Sequence, residues 1–532
     1  MTKNYKNLSE IIFDNINRTP EKEALRIPVS WGNGREINYE SASYSEIGKR
    51  VAAFQCGLKN AGFKPGDRII LMFPPSIDLY SIMIAMSISG IIPIFIDMGM
   101  GIKKFLMAVE DSKACCIISV HKLFKFRFLL KQLWKLKWYK ADRAGIGIKS
   151  LNALFDQTNI IPELYQTGGD DHCMISFTSG STGRPKGADR TQECVLQQHL
   201  KIKETWPLNG SDDVDMTCFP VFVMHNLACG VSTVLPAVNL STPGDIDPDL
   251  LVSQLKQLKV NRLGAAPAFL SKLVEYINEN SITLPHIKSV GTGGAPVPVI
   301  LCNEIRRAFP DADLRVIYGS TEAEPISSIG IDEILNASGN GLLVGSPYNF
   351  VETKIVKLPE KPDDISDKSL KSYQVQTYDI GEIVVRGDHV IKQYLDNPDE
   401  NKKNKIYCPD GEVWHRTGDT GYFDDKGRIW LTGRVKDTVE IDGIIIEPFP
   451  VEQDIDTIHG IKRSAIINSE GKTVLAIELN KDADMDTVNK TIKLKLCEKK
   501  IQSTAIKYIK HIPVDGRHNS KIDRVKLRKL LS

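Results

Sequence analysis

Residues Phe177-Thr178-Ser179-Gly180-Ser181-Thr182-Gly183-Arg184-Pro185-Lys186-Gly187 put hydroxyls, glycines and two cations into one short stretch. Glycines let backbone N–H groups approach a ligand closely, and successive turn amides form an anion-binding concavity. The hydroxyls add rotatable donors, and Arg184 and Lys186 add charge-assisted ones. A polyphosphate uses all of these together. The competing reading, a solvated Gly/Ser linker, does not account for the Pro-Lys-Gly ending. A Walker loop is excluded by spacing: counted from Gly180, Pro185 holds the second glycine position, and Gly187 stands where Ser or Thr is required.

Later stretches add complementary chemistry. Leu314-Arg-Val-Ile-Tyr318-Gly319-Ser-Thr321-Glu322-Ala-Glu324 reads as a strand running into a polar turn. Tyr318 offers a ring for stacking, Thr321 a hydroxyl near phosphate, and Glu322 a hard oxygen ligand for Mg²⁺. Alone, Glu322 reads as solvated; the intact Tyr-Gly-x-Thr-Glu order favours function. Asn261 to Pro267, with Gly264 and Ala265, and Ser289 to Pro296, with Gly293, Gly294, Ala295 and Pro296, are strand ends. Their backbone can lie flat against a ring or an acyl chain. In Trp414 to Gly427, Asp419 is a carboxylate suited to accept from two ribose hydroxyls, with Arg434 a fixed cation beside that sugar. His225 reads either as a residue closing over the ligand or as a structural histidine. Lys521, on a tail loop, is placed to enter a closed site as a transition-state cation.

These residues need a scaffold, and 532 residues imply two or three domains. Hydrophobic content of 42% and charged content of 25% are those of a soluble enzyme, and a net charge of +2 gives no global pull toward nucleic acid. Ten scattered cysteines fit reduced thiols in a cytoplasmic protein. Met1 to Lys22 lacks a secretory h-region, and Ser81 to Ile96 is too short to span a bilayer. Helical spacing at Ser43–Ala61 and Leu79–Ser89 alternates with strands at Arg68–Phe73 and Gly90–Ile96. This predicts a mainly parallel, helix-covered sheet. Residues 357–376 read as an exposed loop. Lys122 to Lys140 interleaves lysines with Phe124, Phe128, Trp134 and Trp138. It reads as a basic amphipathic helix that either meets a membrane or packs on its own domain.

Taken together, the chain resembles the adenylate-forming superfamily of acyl-CoA synthetases, luciferases and peptide-synthetase adenylation domains. The resemblance rests on Thr178–Gly187, Gly293–Pro296, Tyr318–Glu322, Thr417-Gly-Asp419, Gly433-Arg434 and Lys521, in that order. It implies an α/β fold: a large domain of helix-covered mixed sheets and a β-subdomain over 1–435, then a mobile α+β lid over 436–532 hinged at Lys436. It implies ATP and Mg²⁺ as cofactors, with adenine at Gly293–Pro296 and Tyr318, ribose at Asp419, magnesium at Glu322, and catalysis by Lys521 with Thr178 and Lys186. The expected reaction is activation of a carboxylic acid, a long-chain or 3-hydroxy fatty acid, to acyl-AMP, followed by transfer to CoA. Alternatives are closure of a 3-hydroxyacyl-AMP to a β-lactone and a non-catalytic nucleotide- or acyl-binding paralogue. Ile96-Asp-Met-Gly-Met-Gly101, Gly294-Ala-Pro-Val-Pro298 and His518-Asn-Ser-Lys-Ile522 look most like the branch that includes the olefin-pathway β-lactone synthetases. Three positions depart from the superfamily pattern: Ser520 stands where Gly is common, Pro450 where Glu is common, and His225 lacks the aromatic-His register.

Overall fold

A computed structural model describes residues 5–532 apart from 33–35, 121–129, 143–147, 159–161, 179–182, 241, 243, 359–364, 442–443, 470, 481–482, 500, 502–503 and 516–520. Ser179, Gly180, Ser181 and Thr182, Lys122 to Phe128, and His518 to Ser520 therefore lie outside the described residues.

The β-α-β alternation builds two helix-covered sheets. In one, parallel strands Cys116–Ser119, Arg68–Met72, Ile92–Ile96 and His172–Thr178 lie side by side, closed by the antiparallel Lys186–Thr191. In the other, Val214–Thr217, Arg262–Ala265, Ser289–Gly293 and Asp313–Ser320 run parallel, with Ala323–Gly330 turning back beside the last. Near-continuous apolar strands such as Ile69-Ile70-Leu71 are buried because helices cover both faces. The helix Tyr44–Asn60 starts at a capping box: Ser43 Oγ accepts from Glu46 N–H at 3.2 Å, and the Glu46 carboxylate accepts from Ser43 N–H at 2.7 Å. Ile47, Val51, Phe54 and Leu58, one helical face, then enter the core.

An antiparallel sheet pairs Val413–Phe423 with Ile429–Arg434 and with Gly381–Arg386, and the first pairing sets Asp419 opposite Arg434. A smaller C-terminal α+β domain follows. Its strands Ile461–Ser469, Lys472–Leu479 and Thr504–Tyr508 carry the helices Pro448–Asp456, Met485–Glu498 and Arg524–Leu531. Buried Arg524 ties the last helix down: it donates to Glu452 at 2.8 Å and to the Ile466 carbonyl at 2.8 Å.

Two expectations need correction. The described part of 122–140 is no helix: Lys131–Leu133 is one 3₁₀ turn and Lys137–Lys140 a strand beside Cys116–Ser119. Leu133 and Trp138 enter the core around Phe105 and Ile117, and the Trp138 indole donates to the Leu133 carbonyl at 3.1 Å. Leu133 and Trp138 thus serve the protein's own interior while Trp134 is exposed, and the described residues do not support membrane contact. No described helix is long and apolar enough to cross a membrane. Within 357–376, Ile365 and Leu370 are buried against Trp414 and Val384, so this segment is in part a packed cover.

Candidate active site

The strand ends meet at one cleft of about 2500 Å³. Thr178 reaches it as the last residue of its strand, in register with Lys186, so this pairing closes the base of the glycine-rich turn. Gly293 to Pro296 and Tyr318 to Glu322 reach it from the second sheet, Asp419 and Arg434 from the antiparallel sheet. Lys436, in the 3₁₀ turn Val435–Asp437, and Lys521, from the C-terminal domain, line it as well. Gly293 is required by space: a Cβ there would stand 2.4 Å from the Ile317 carbonyl oxygen on the neighbouring strand.

Asp419 is the geometric centre of one half. Its Oδ2 accepts from the Tyr318 hydroxyl at 2.9 Å and its Oδ1 from Arg434 Nε at 2.7 Å. The carboxylate in turn holds the Arg434 guanidinium firmly protonated. Burial, followed by the Asp419 charge, pushes the Tyr318 phenol far above its ordinary range, so it stays a donor. Gly418 beside it has a φ of +70°, a left-handed turn that presents the following carboxylate. Arg416 and Glu382 form a buried pair beneath, and Glu382 Oε1 accepts from Gly418 N–H at 3.3 Å.

Glu322 centres the other half. Burial alone would raise its carboxyl, but His415, Lys405 and the Tyr394 hydroxyl, which donates to Oε1 at 2.9 Å, hold it at about 2. His415, itself lowered to about 3 by burial, is neutral near pH 7. Burial brings Lys405 down to about 7, and its ammonium donates to the Ile391 carbonyl. An ionised carboxylate lining the cleft, with Tyr394 donating to its Oε1, suits a hard divalent cation, so this residue fits magnesium.

Lys186 lines the cleft as well. Its ammonium pairs with buried Glu400, lies 3.5 Å from Asn404 Oδ1, and sits 5.2 Å from the centre of the Tyr394 ring. Arg184 is held bidentately by Asp111 at 2.9 and 2.5 Å. Two expectations fall outside the cleft. His225 and Ala265 do not line it, though Gly264 does. His225 turns inward to His199 and Cys229. Tyr394, Glu400, Lys405 and His415 were not singled out in the sequence. Their one signal is Lys402-Lys403-Asn404-Lys405 running directly into the strand Lys405–Tyr407, of which Lys405 and Ile406 are both buried.

A cleft where glycine-rich strand ends from two α/β sheets face a carboxylate–tyrosine–arginine cluster and a tail-loop lysine defines an adenylate-forming enzyme. The AMP-binding enzyme family model matches residues 12–395, and the chain belongs to that family of ligases, which activate acids as acyl-AMP. It is 28% identical to an olefin beta-lactone synthetase of Stenotrophomonas maltophilia, over 96% of this chain and 95% of that one. It is 25% identical to a feruloyl-CoA synthase of an Amycolatopsis species, over 89% and 91%. Among solved structures, ATP-bound MatB of Rhodopseudomonas palustris superposes with a TM-score of 0.80 at 20% identity, covering 99% of this chain and 98% of that one; this shows the shared fold.

Proposed function

We propose that this enzyme adenylates a 3-hydroxy fatty acid and closes the resulting acyl-AMP to a β-lactone. The carrying observation is the single cleft that joins Thr178, Glu322, Asp419 and Lys521. In this reading Asp419, preset by Tyr318 and Arg434, receives the ribose hydroxyls, and Gly293 to Pro296 wall the base. Thr178, Gly183 and the hydroxylated turn between them hold the β- and γ-phosphates. Glu322 would hold magnesium, which when bound neutralises phosphate charge. The substrate carboxylate attacks the α-phosphorus in line, pyrophosphate leaves, and Lys521 stabilises charge on the transferring group. Lys186 joins the phosphates only by giving up Glu400, so its part is secondary. The cleft-lining apolar residues Trp206, Phe222, Pro267 and Val274, with Gly264, support an acyl chain.

In the second step the substrate's own 3-hydroxyl oxygen attacks the acyl carbon. The bond to AMP breaks, and the hydroxyl proton leaves. Likeness to the β-lactone synthetase along nearly the whole chain supports this step. Transfer to CoA is the second reading, favoured by the feruloyl-CoA synthase relative. Mass spectrometry of products from ATP with 3-hydroxy or plain fatty acids, with and without CoA, separates the two. Lactone from the 3-hydroxy acid alone is the expected product, and a CoA ester would replace it with the second reading. Lys521→Ala should lower acyl-AMP formation more than about 100-fold while leaving ATP binding intact. Wild-type acyl-AMP yield from that variant would remove Lys521 from the chemistry.

A further inference from the structure

Away from the cleft surface lies a cluster that adenylation does not use. His225 and Cys229 stand one turn apart on the helix Phe222–Cys229 and share a face. His199 meets them from the helix Gln192–Thr205. Their exposures are only 3% for His199 and 8% for each of the other two. His225 Nδ1 lies 3.0 Å from His199 Nδ1, and His225 Nε2 lies 3.4 Å from Cys229 Sγ. One ligand atom from each residue falls within 4.8 Å of the other two. Burial disfavours the charged form of both imidazoles, so each offers a neutral lone pair near pH 7. The His199 Nε2 is buried without a hydrogen-bond partner, which an apolar interior penalises.

We propose that His199, His225 and Cys229 bind one thiophilic d¹⁰ cation, zinc(II) or copper(I). One thiolate with two imidazoles is a donor set for soft and borderline ions, whereas magnesium and calcium take oxygen. Bonds of about 2.0 Å to nitrogen and about 2.3 Å to sulfur place ligand atoms roughly 3.3–3.7 Å apart. The close spacing that the ion keeps needs to open by only a few tenths of an ångström, and the third ligand atom, within 4.8 Å of the other two, moves in by about 1 Å. His225 gives a different nitrogen to each neighbour, so the ion takes one of them and the other hydrogen bond opens. On binding, the Cys229 S–H bond breaks, sulfur keeps the electron pair as a thiolate ligand, and one proton leaves to solvent. Lys203 bears on both imidazoles, and the charge of Arg262, which also reaches His225, is offset by its ion pair with Asp215 at 3.2 Å. Copper(I) with one thiolate and two neutral imidazoles carries no net charge, so it adds none to this buried site. The ion would brace the helix that presents Phe222 to the cleft.

The full chain, purified without a metal-binding tag, reduced and stripped by chelator, is titrated with cobalt(II) and with copper(I). Cobalt is followed by its thiolate charge-transfer band, and proton release by a pH indicator. One equivalent should saturate each titration with one proton released. X-ray absorption of the wild-type complex should show one sulfur at about 2.3 Å and nitrogens at about 2.0 Å. Cys229→Ser should abolish the band, while Cys302→Ser, which alters a buried thiol on another helix, should keep it. Absence of binding to wild type, or a bound ion with no sulfur in its shell, overturns the proposal. Those two readings use the unaltered protein, so misfolding of a variant does not protect it.

Discussion

Burial sets the proton affinity of His389. The ring is 0% exposed and packs edge-on against Phe350 at 5.5 Å, and desolvation brings its pKa from 6.5 to about 4. Above about pH 6.5 the folded and unfolded chains both carry it neutral. As pH falls from there toward 4, the unfolded chain takes up a proton that the folded chain refuses. Stability is therefore lost over that window, by up to about 3 kcal/mol from this residue. His389→Leu should flatten that part of the acid limb, read as the change in urea midpoint between pH 7.5 and pH 5. Identical pH slopes in both proteins would refute the assignment. The same burial explains which site residues could be read in advance. Asp419, Glu322 and Lys521 stand in ordered motifs whose residue types already name a chemistry, and all three reach the cleft. Lys405, Glu400 and Tyr394 sit in and beside a charged run that looks like a solvated face. Only the fold buries them beneath Glu322. For His225, helical spacing cannot say which side of its helix faces the cleft.

At the scale of elements, close packing was less legible than periodicity. The spacing of Ile47, Val51, Phe54 and Leu58 located the helix Tyr44–Asn60, but nothing local showed why Gly57 interrupts its hydrophobic side. The reason is tertiary. The 3₁₀ turn Leu151–Leu154 crosses so closely that a Cβ on Gly57 would stand 2.0 Å from the Leu154 carbonyl oxygen. Backbone cannot yield as a flexible side chain can, so Gly57→Ala should destabilise the protein by on the order of 3 kcal/mol. Denaturant unfolding measures this, and a change below about 0.5 kcal/mol would show that the turn does not rest on the helix in solution. The misread segment 122–140 follows the same logic. Lys137-Trp-Tyr-Lys140 is a short strand with lysine at each end, and its spread of basic and aromatic residues imitates an amphipathic helix. Pairing with Cys116–Ser119, about twenty residues earlier, decides the matter, and a local pattern carries no information about such pairing.

Across the whole molecule, the distribution of hydrophobic clusters argues for two cooperative units divided near Lys436. The clusters around Val439, Ile466 and Leu475, and around Ile467, Ile512 and Leu527, draw only on residues from 439 onward. The fully buried members of every other cluster lie at or before Leu431. Among the described residues, few side-chain ties cross the division. Glu447 accepts from Thr420 at 2.6 Å and Thr432 at 3.3 Å, and Phe449 rests on the antiparallel sheet. Links of this size are worth about 1 kcal/mol each, too little to merge two cores into one transition. Calorimetry of the full chain should therefore resolve two unfolding transitions, with ATP raising the midpoint of the larger. A fragment of residues 1–435 should retain that larger transition and bind ATP through Asp419 and the glycine-rich turn. Without Lys521 it should form acyl-AMP more than about 100-fold more slowly. Its loss of activity would then separate from any loss of fold, because the remaining core is complete. One coincident transition in the full chain would show that the C-terminal residues do not fold apart, and adenylation by the fragment at the rate of the whole would show that they do not deliver the catalytic cation.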